Sequence, residues 1–164
     1  MNDSFKKIAI VPGSFDPITY GHLSLVKEAL KDYDKVYVAV MINEKKEYCF
    51  TLSERKEIAE AAINGLERVE VISSEGMLWQ LAKDLGAVAI VRGYRNENDL
   101  AYEQAMAQFN AEHYPNAKTI LLPSEDELSD LSSTVVRQSL RNGSSLSQYL
   151  PENAIATIKR ILSK

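Results

Sequence analysis

"VPGSFDPITYGH", residues 11–22, decides how this chain is read. The apolar run KIAIV (7–11) that feeds it reads as a buried strand. The stretch that leaves it, 21–30, carries Leu23, Val26, Ala29 and Leu30 at helical spacing. A strand, a tight turn and a helix present free backbone N–H groups at the helix start, where the helix dipole favours an anion. Gly13 in the turn permits close backbone approach, and Ser14 supplies a hydroxyl. Thr19 stands where a helix cap is expected, which places His22 in the first turn, able to donate a hydrogen bond to a phosphate oxygen. A plain turn followed by a surface histidine is the alternative.

Working outward, the same alternation repeats. KVYVAVM (35–41), RVEVI (68–72), AVAIV (87–91) and KTILL (118–122) read as strands. A helix over 51–63 opens on a Thr51…Glu54 capping box. Leu78, Leu81, Ala82 and Leu85 mark another, closed by Gly86. Tyr102, Ala105, Met106, Phe109 and His113 share one face of a fourth. Helices over 132–143 and 151–162 follow, the last with Pro151 in its first turn. AVAIV has no polar alternation, as expected of a strand covered on both faces. The pattern predicts an α/β fold: a five-stranded parallel sheet with helices on both faces.

At 164 residues, the chain favours one domain, 1–164, with a substantial core. Hydrophobic residues at 45% and charged residues at 26% suit a globular protein in water. No apolar run spans a bilayer, and MNDSFKKIAIVPG lacks signal-peptide shape, so a cytoplasmic location without a membrane partner is expected. Cys49 is the single cysteine, which excludes an intrachain disulfide and a cysteine zinc cage. With no local base in EYCFTLSE, it reads as an ordinary half-buried thiol. A net charge of −4 argues against broad nucleic-acid binding but leaves room for a local cationic pocket.

In such sheets ligands bind beyond the carboxyl ends of the strands. After the second strand come Lys45 and Lys46, a solvated pair or phosphate ligands. After the third, Met77, Leu78 and Trp79 suggest core packing, with one or two lining an apolar arm of a pocket. After the fourth, Arg92 and Arg95 flank Gly93-Tyr94. Ion pairing with Glu97, Asp99 or Glu103 is one reading. Two guanidinium groups around a glycine at this edge favour phosphate. After the fifth, Ser132, Ser133 and Thr134 begin a helix, with Arg137 one turn on. One hydroxyl would suffice for a cap. No Walker A lysine and no G-x-G-x-x-G is present. Scattered phosphate ligands without a protein nucleophile suggest nucleotidyl transfer, the nucleophile being on the substrate.

GSFDPITYGH resembles the G-x-F-D-P-x-T/H-x-G-H signature of the nucleotidyltransferase superfamily, and RGYR and SSTVVR resemble its downstream motifs. With Thr19 in place of the first histidine of H-x-G-H, the set is similar to bacterial phosphopantetheine adenylyltransferases over nearly the whole chain, including LPEN near the C-terminus. The resemblance implies a Rossmann-like fold and reversible adenylyl transfer from ATP to 4′-phosphopantetheine, giving 3′-dephospho-coenzyme A and pyrophosphate. It implies magnesium, a homohexamer and feedback by coenzyme A. His22, Lys46 and Arg95 would be catalytic. Ser14, Phe15, His22, Gly93, Tyr94, Arg95, Glu103 and the run Leu128, Ser129, Asp130, Leu131, Ser132, Ser133 and Thr134 would bind ATP. Ser14, Lys46, Leu78, Arg92, Met106 and Asn110 would bind the acceptor. Leu128 and Asp130 stand where the family usually carries aromatic residues, and Tyr94 where leucine is common. The nearest alternatives are a nicotinamide mononucleotide adenylyltransferase, which keeps the first histidine and lacks RGYR, and a non-catalytic nucleotide-binding module. The sequence shows no magnesium cage, so the metal is expected to travel with ATP.

Overall fold

The computed structural model describes residues 7–124 and 133–164. Its elements alternate as β1 (Ile8–Gly13), α1 (Tyr20–Asp32), β2 (Lys35–Met41), α2 (Leu52–Ala62), β3 (Val69–Ser74), α3 (Leu78–Leu85), β4 (Ala89–Tyr94), α4 (Glu97–His113) and β5 (Lys118–Pro123), followed by α5 (Ser133–Asn142) and α6 (Glu152–Leu162). The five strands form one parallel sheet in the order β3-β2-β1-β4-β5. The chain starts mid-sheet, runs outward to β3, then returns to the other side of β1. That reversal creates a switch point between β1 and β4.

Alternate residues of the strands feed two cores. Ala9, Val11, Val36, Val38, Val40 and Val91 pack with Leu23 and Val26 of α1, Ile58 of α2, Val136 of α5 and Ile158 of α6. Ile10, Ala39 and Ile90 face the other way, onto Ala82 and its partly buried neighbours in α3. Helices therefore lie on both faces, as the strand–helix alternation implies. Local chemistry fixes the ends. The Thr51 hydroxyl accepts from the Glu54 N–H (3.1 Å) and the Glu54 carboxylate accepts from the Thr51 N–H (3.0 Å), the capping box expected from sequence. Gly86 ends α3 in the left-handed conformation (φ 67°).

The structure differs from the sequence reading in several details. The first strand continues through Pro12 and Gly13, because β2 pairs with it as far as Gly13↔Val40. Cys49 is exposed rather than half-buried: its backbone N–H is what Asp16 holds (2.8 Å), and the side chain turns outward. The apolar residues that recur along α4 stay largely outside the core. The residues of α4 that are buried are Glu103 and Asn110, while Tyr102 (59%), Met106 (38%) and Phe109 (36%) keep large exposed fractions. The helix turns Glu103 and Asn110 to the crevice, with Tyr102 and Met106 at its lining, and leaves Phe109 outside that lining. There the ring of His113 lies between Phe109 (4.4 Å) and Trp79 (5.1 Å). Met77 likewise caps α3 with half its surface exposed instead of joining the core.

The register shows how the sheet makes room for a site. β1 is in register with β4 only at Ala9↔Ala89 and Ile10↔Ile90. β1 stays paired with β2 to Gly13, and β4 with β5 to Tyr94↔Pro123. Beyond Ile10 and Ile90 the two central strands part.

Candidate active site

A crevice of about 1090 Å³ opens where β1 and β4 separate. Every described residue expected at the site lines it except Tyr94: Ser14, Phe15, His22, Lys46, Leu78, Arg92, Gly93, Arg95, Glu103, Met106, Asn110, Ser133 and Thr134. Tyr94 lies outside this lining. Leu128 to Ser132 lie outside the described residues.

His22 is held by its own helix start. The Thr19 N–H donates to His22 Nδ1 at 3.0 Å, and the Thr19 hydroxyl oxygen is 3.3 Å from the same nitrogen. Thr19 is fully buried, and Leu23 N–H donates to its carbonyl. A nitrogen that accepts from a backbone N–H carries no proton, so the neutral ring keeps its proton on Nε2. The Phe15 ring meets the imidazole edge to face at 4.9 Å. Burial, then the charge of Arg92, lowers the His22 pKa from 6.5 to about 4. At neutral pH this histidine is an uncharged Nε2–H donor.

The turn before it is tied down from below. Arg55, 1% exposed, donates from Nη1 to the carbonyls of Ser14 (2.7 Å) and Met41 (2.9 Å), and from Nε to that of Phe50 (3.2 Å). Asp16, 3% exposed, accepts from the N–H groups of Cys49 and Phe50. Arg137 donates to the Asp16 carbonyl at 2.7 Å, with the Asp16 carboxylate 3.8 Å away. Phe15 adopts φ 48°, and a Cβ on Gly13 would sit 3.0 Å from its ring. Gly13 is thus required by the ring that packs on it. Lys46 Nζ lies 3.5 Å from Ser14 Oγ. Burial alone would raise the Tyr48 pKa, but hydrogen bonds with Ser14 and Asn43 and the charges of Arg55 and Lys46 lower it overall.

The two arginines after β4 do make ion pairs. Arg92 holds Glu103 with two bonds (2.8 and 2.6 Å) and reaches across the crevice to the Pro12 carbonyl (2.8 Å). That engages three of its five N–H groups and leaves donors on both terminal nitrogens. Arg95 pairs with Asp99 at 3.1 Å. The Ser133 hydroxyl donates to the Pro17 carbonyl (2.7 Å), and Arg137 donates to Thr134 Oγ1 (3.1 Å). Sequence reasoning missed Arg55, Asp16 and Tyr48. Arg55 sits among charged neighbours in SERKE, with nothing local to mark it as buried.

Residues 10–139 match the family described as cytidylyltransferase-like. A phosphopantetheine adenylyltransferase of Lactobacillus helveticus is 40% identical over 156 residues, covering 94% of this chain and 95% of its own. The chain belongs to the phosphopantetheine adenylyltransferase family. Proteins of that name from Limosilactobacillus reuteri (38% identical, 95% of this chain and 90% of its own) and Caldanaerobacter subterraneus (37%, 89% and 91%) agree. His22 and Arg92 both line the crevice, and the Arg92 charge reaches His22. Among the described residues no helix is long and apolar enough to cross a membrane.

Proposed function

We propose that this chain transfers the adenylyl group of ATP to 4′-phosphopantetheine, giving 3′-dephospho-coenzyme A and pyrophosphate. The observation that carries the reading is the Thr19 N–H on His22 Nδ1, which commits Nε2–H to donation at the crevice. An acceptor phosphate oxygen attacks the α-phosphorus in line. A new P–O bond forms as the bond to the pyrophosphate oxygen breaks. The protein's contribution is position and charge. Ser14 and Lys46 hold the acceptor phosphate, with Arg92 beside it. Leu78, Met106 and Asn110 follow the pantetheine arm. Gly93, Arg95 and the start of α5 take the nucleotide. Glu103 acts through Arg92, whose fork it orients. His22 stabilises charge developing on the α-phosphoryl group as a neutral donor, not as a base.

Magnesium was implied by the resemblance. The described residues hold no group of three acidic, histidine or cysteine ligands for it, in keeping with a metal carried by the ATP phosphates. The exposed Phe109 on α4, outside the crevice lining, and Tyr102 at its edge support self-association, in line with the implied homohexamer. Coenzyme A carries the same pantetheine arm as the acceptor, which supports competitive feedback at this crevice in the cytoplasm.

The test is pyrophosphate release from ATP with 4′-phosphopantetheine, set against nicotinamide mononucleotide as acceptor. Release with the first alone is expected. Release with the second alone assigns the rival acceptor, and release with neither favours a binding module.

A further inference from the structure

Tyr48 takes no part in the proposed transfer, yet its surroundings fix its position in the crevice. Its ring lies on the guanidinium of Arg55, with 3.9 Å from Arg55 Cζ to the ring centroid. Arg55 is itself pinned by three carbonyls, so the ring rests on a fixed cationic floor. The Asn43 N–H donates to the Tyr48 hydroxyl at 2.7 Å, a second tether. The hydroxyl then stands 3.5 Å from Ser14 Oγ, and Lys46 Nζ stands 3.5 Å from the same atom. A phenol, an alcohol and an ammonium converge on one wall of the crevice.

The phenolic proton is poorly used within the protein. Asn43 fills an acceptor position, and the oxygens available to take the proton are Ser14 Oγ at 3.5 Å and the Asn43 carbonyl at 3.4 Å. Both are long for an O–H···O bond. An anion oxygen seated among the three groups would accept from each of them in place of these long contacts.

We propose that Tyr48 is a further ligand of the acceptor's phosphate, donating its O–H beside Ser14 and Lys46, with Arg55 as the positioning residue beneath its ring. The identity of the acceptor rests on the adenylyl-transfer reading; the phosphate seat does not.

Tyr48→Phe keeps the ring on Arg55 and deletes only the donor. Calorimetric titration of this variant should show 4′-phosphopantetheine weakened on the order of tenfold. Unphosphorylated pantetheine should bind within about twofold of the parent, by the same reasoning. In turnover the KM for the acceptor should rise, with the KM for ATP and kcat little changed. Arg55→Lys keeps the cation but loses the planar fork, and should give the same phosphate-selective loss. A Tyr48→Phe protein that binds 4′-phosphopantetheine like the parent overturns the proposal, and so does one that loses both ligands equally. An unchanged preference in a folded Arg55→Lys protein overturns the positioning role. If the parent releases no pyrophosphate, the adenylyl-transfer reading fails, yet the calorimetry still decides the seat: a parent with no preference for the phosphorylated ligand overturns it.

Discussion

His22 shows what a single residue yields to sequence and what it withholds. Its place in the first turn of α1 followed from Thr19 as a cap, but its tautomer needed the 3.0 Å bond from the Thr19 N–H. Replacing it with alanine should lower kcat by on the order of 10²–10³, with an unchanged circular dichroism spectrum; near-normal turnover would sink the role given to it. The same residue sets a pH dependence. Its pKa is depressed from 6.5 to about 4 in the folded chain, so the unfolded chain binds the extra proton between those values. The stabilisation is complete above about pH 6.5 and drains away as pH falls towards 4, by about 3 kcal/mol at most. Urea denaturation of the parent and of His22→Asn should diverge in slope against pH across that window; parallel curves would contradict the shift. Bound phosphates would favour the protonated ring and narrow the effect. Arg55 marks the other limit. Replacing it with alanine strands three carbonyl groups, and a loss of roughly 3 kcal/mol or more is expected in the same denaturation assay.

At the scale of elements, legibility tracked how local the deciding interaction is. The α2 capping box was readable because both partners lie within four residues. Thr51→Ala should cost about 1 kcal/mol of stability without changing acceptor affinity. Gly86 was readable for the same reason, since a left-handed helix end is a one-residue requirement. The orientation of α4 was not. Its apolar residues recur at helical spacing, but a period gives a face and not the direction in which the face points. What turned the helix was the crevice, which takes Glu103 and Asn110 because Arg92 of β4 needs a carboxylate there. That pairing joins residues in different elements through the sheet register. Arg68 is similar: at φ 67° it sends its guanidinium to the carbonyls of Leu30, Tyr33 and Asp34 at the end of α1, a contact over 35 residues from Tyr33 that no local pattern announces.

Across the whole molecule, a parallel sheet covered on both faces followed from strand–helix alternation, and the edge to search followed from the rule for carboxyl ends; the strand order β3-β2-β1-β4-β5 did not. How far β1 and β4 separate did not follow, because register is decided by packing on both faces at once. That separation has a mechanical meaning. Two half-sheets, β3-β2-β1 and β4-β5, are joined by the shortest register in the structure, and the Arg92 bond to Pro12 is a strut thrown across the gap. A nucleotide and an acceptor lodged there would act as mortar in the seam. Amide hydrogen exchange at Ile10 and Ile90 should slow when both substrates are present, more than at Val38 in the interior of the first half. The place where the sheet is least able to hold itself together is the place where substrate does the holding.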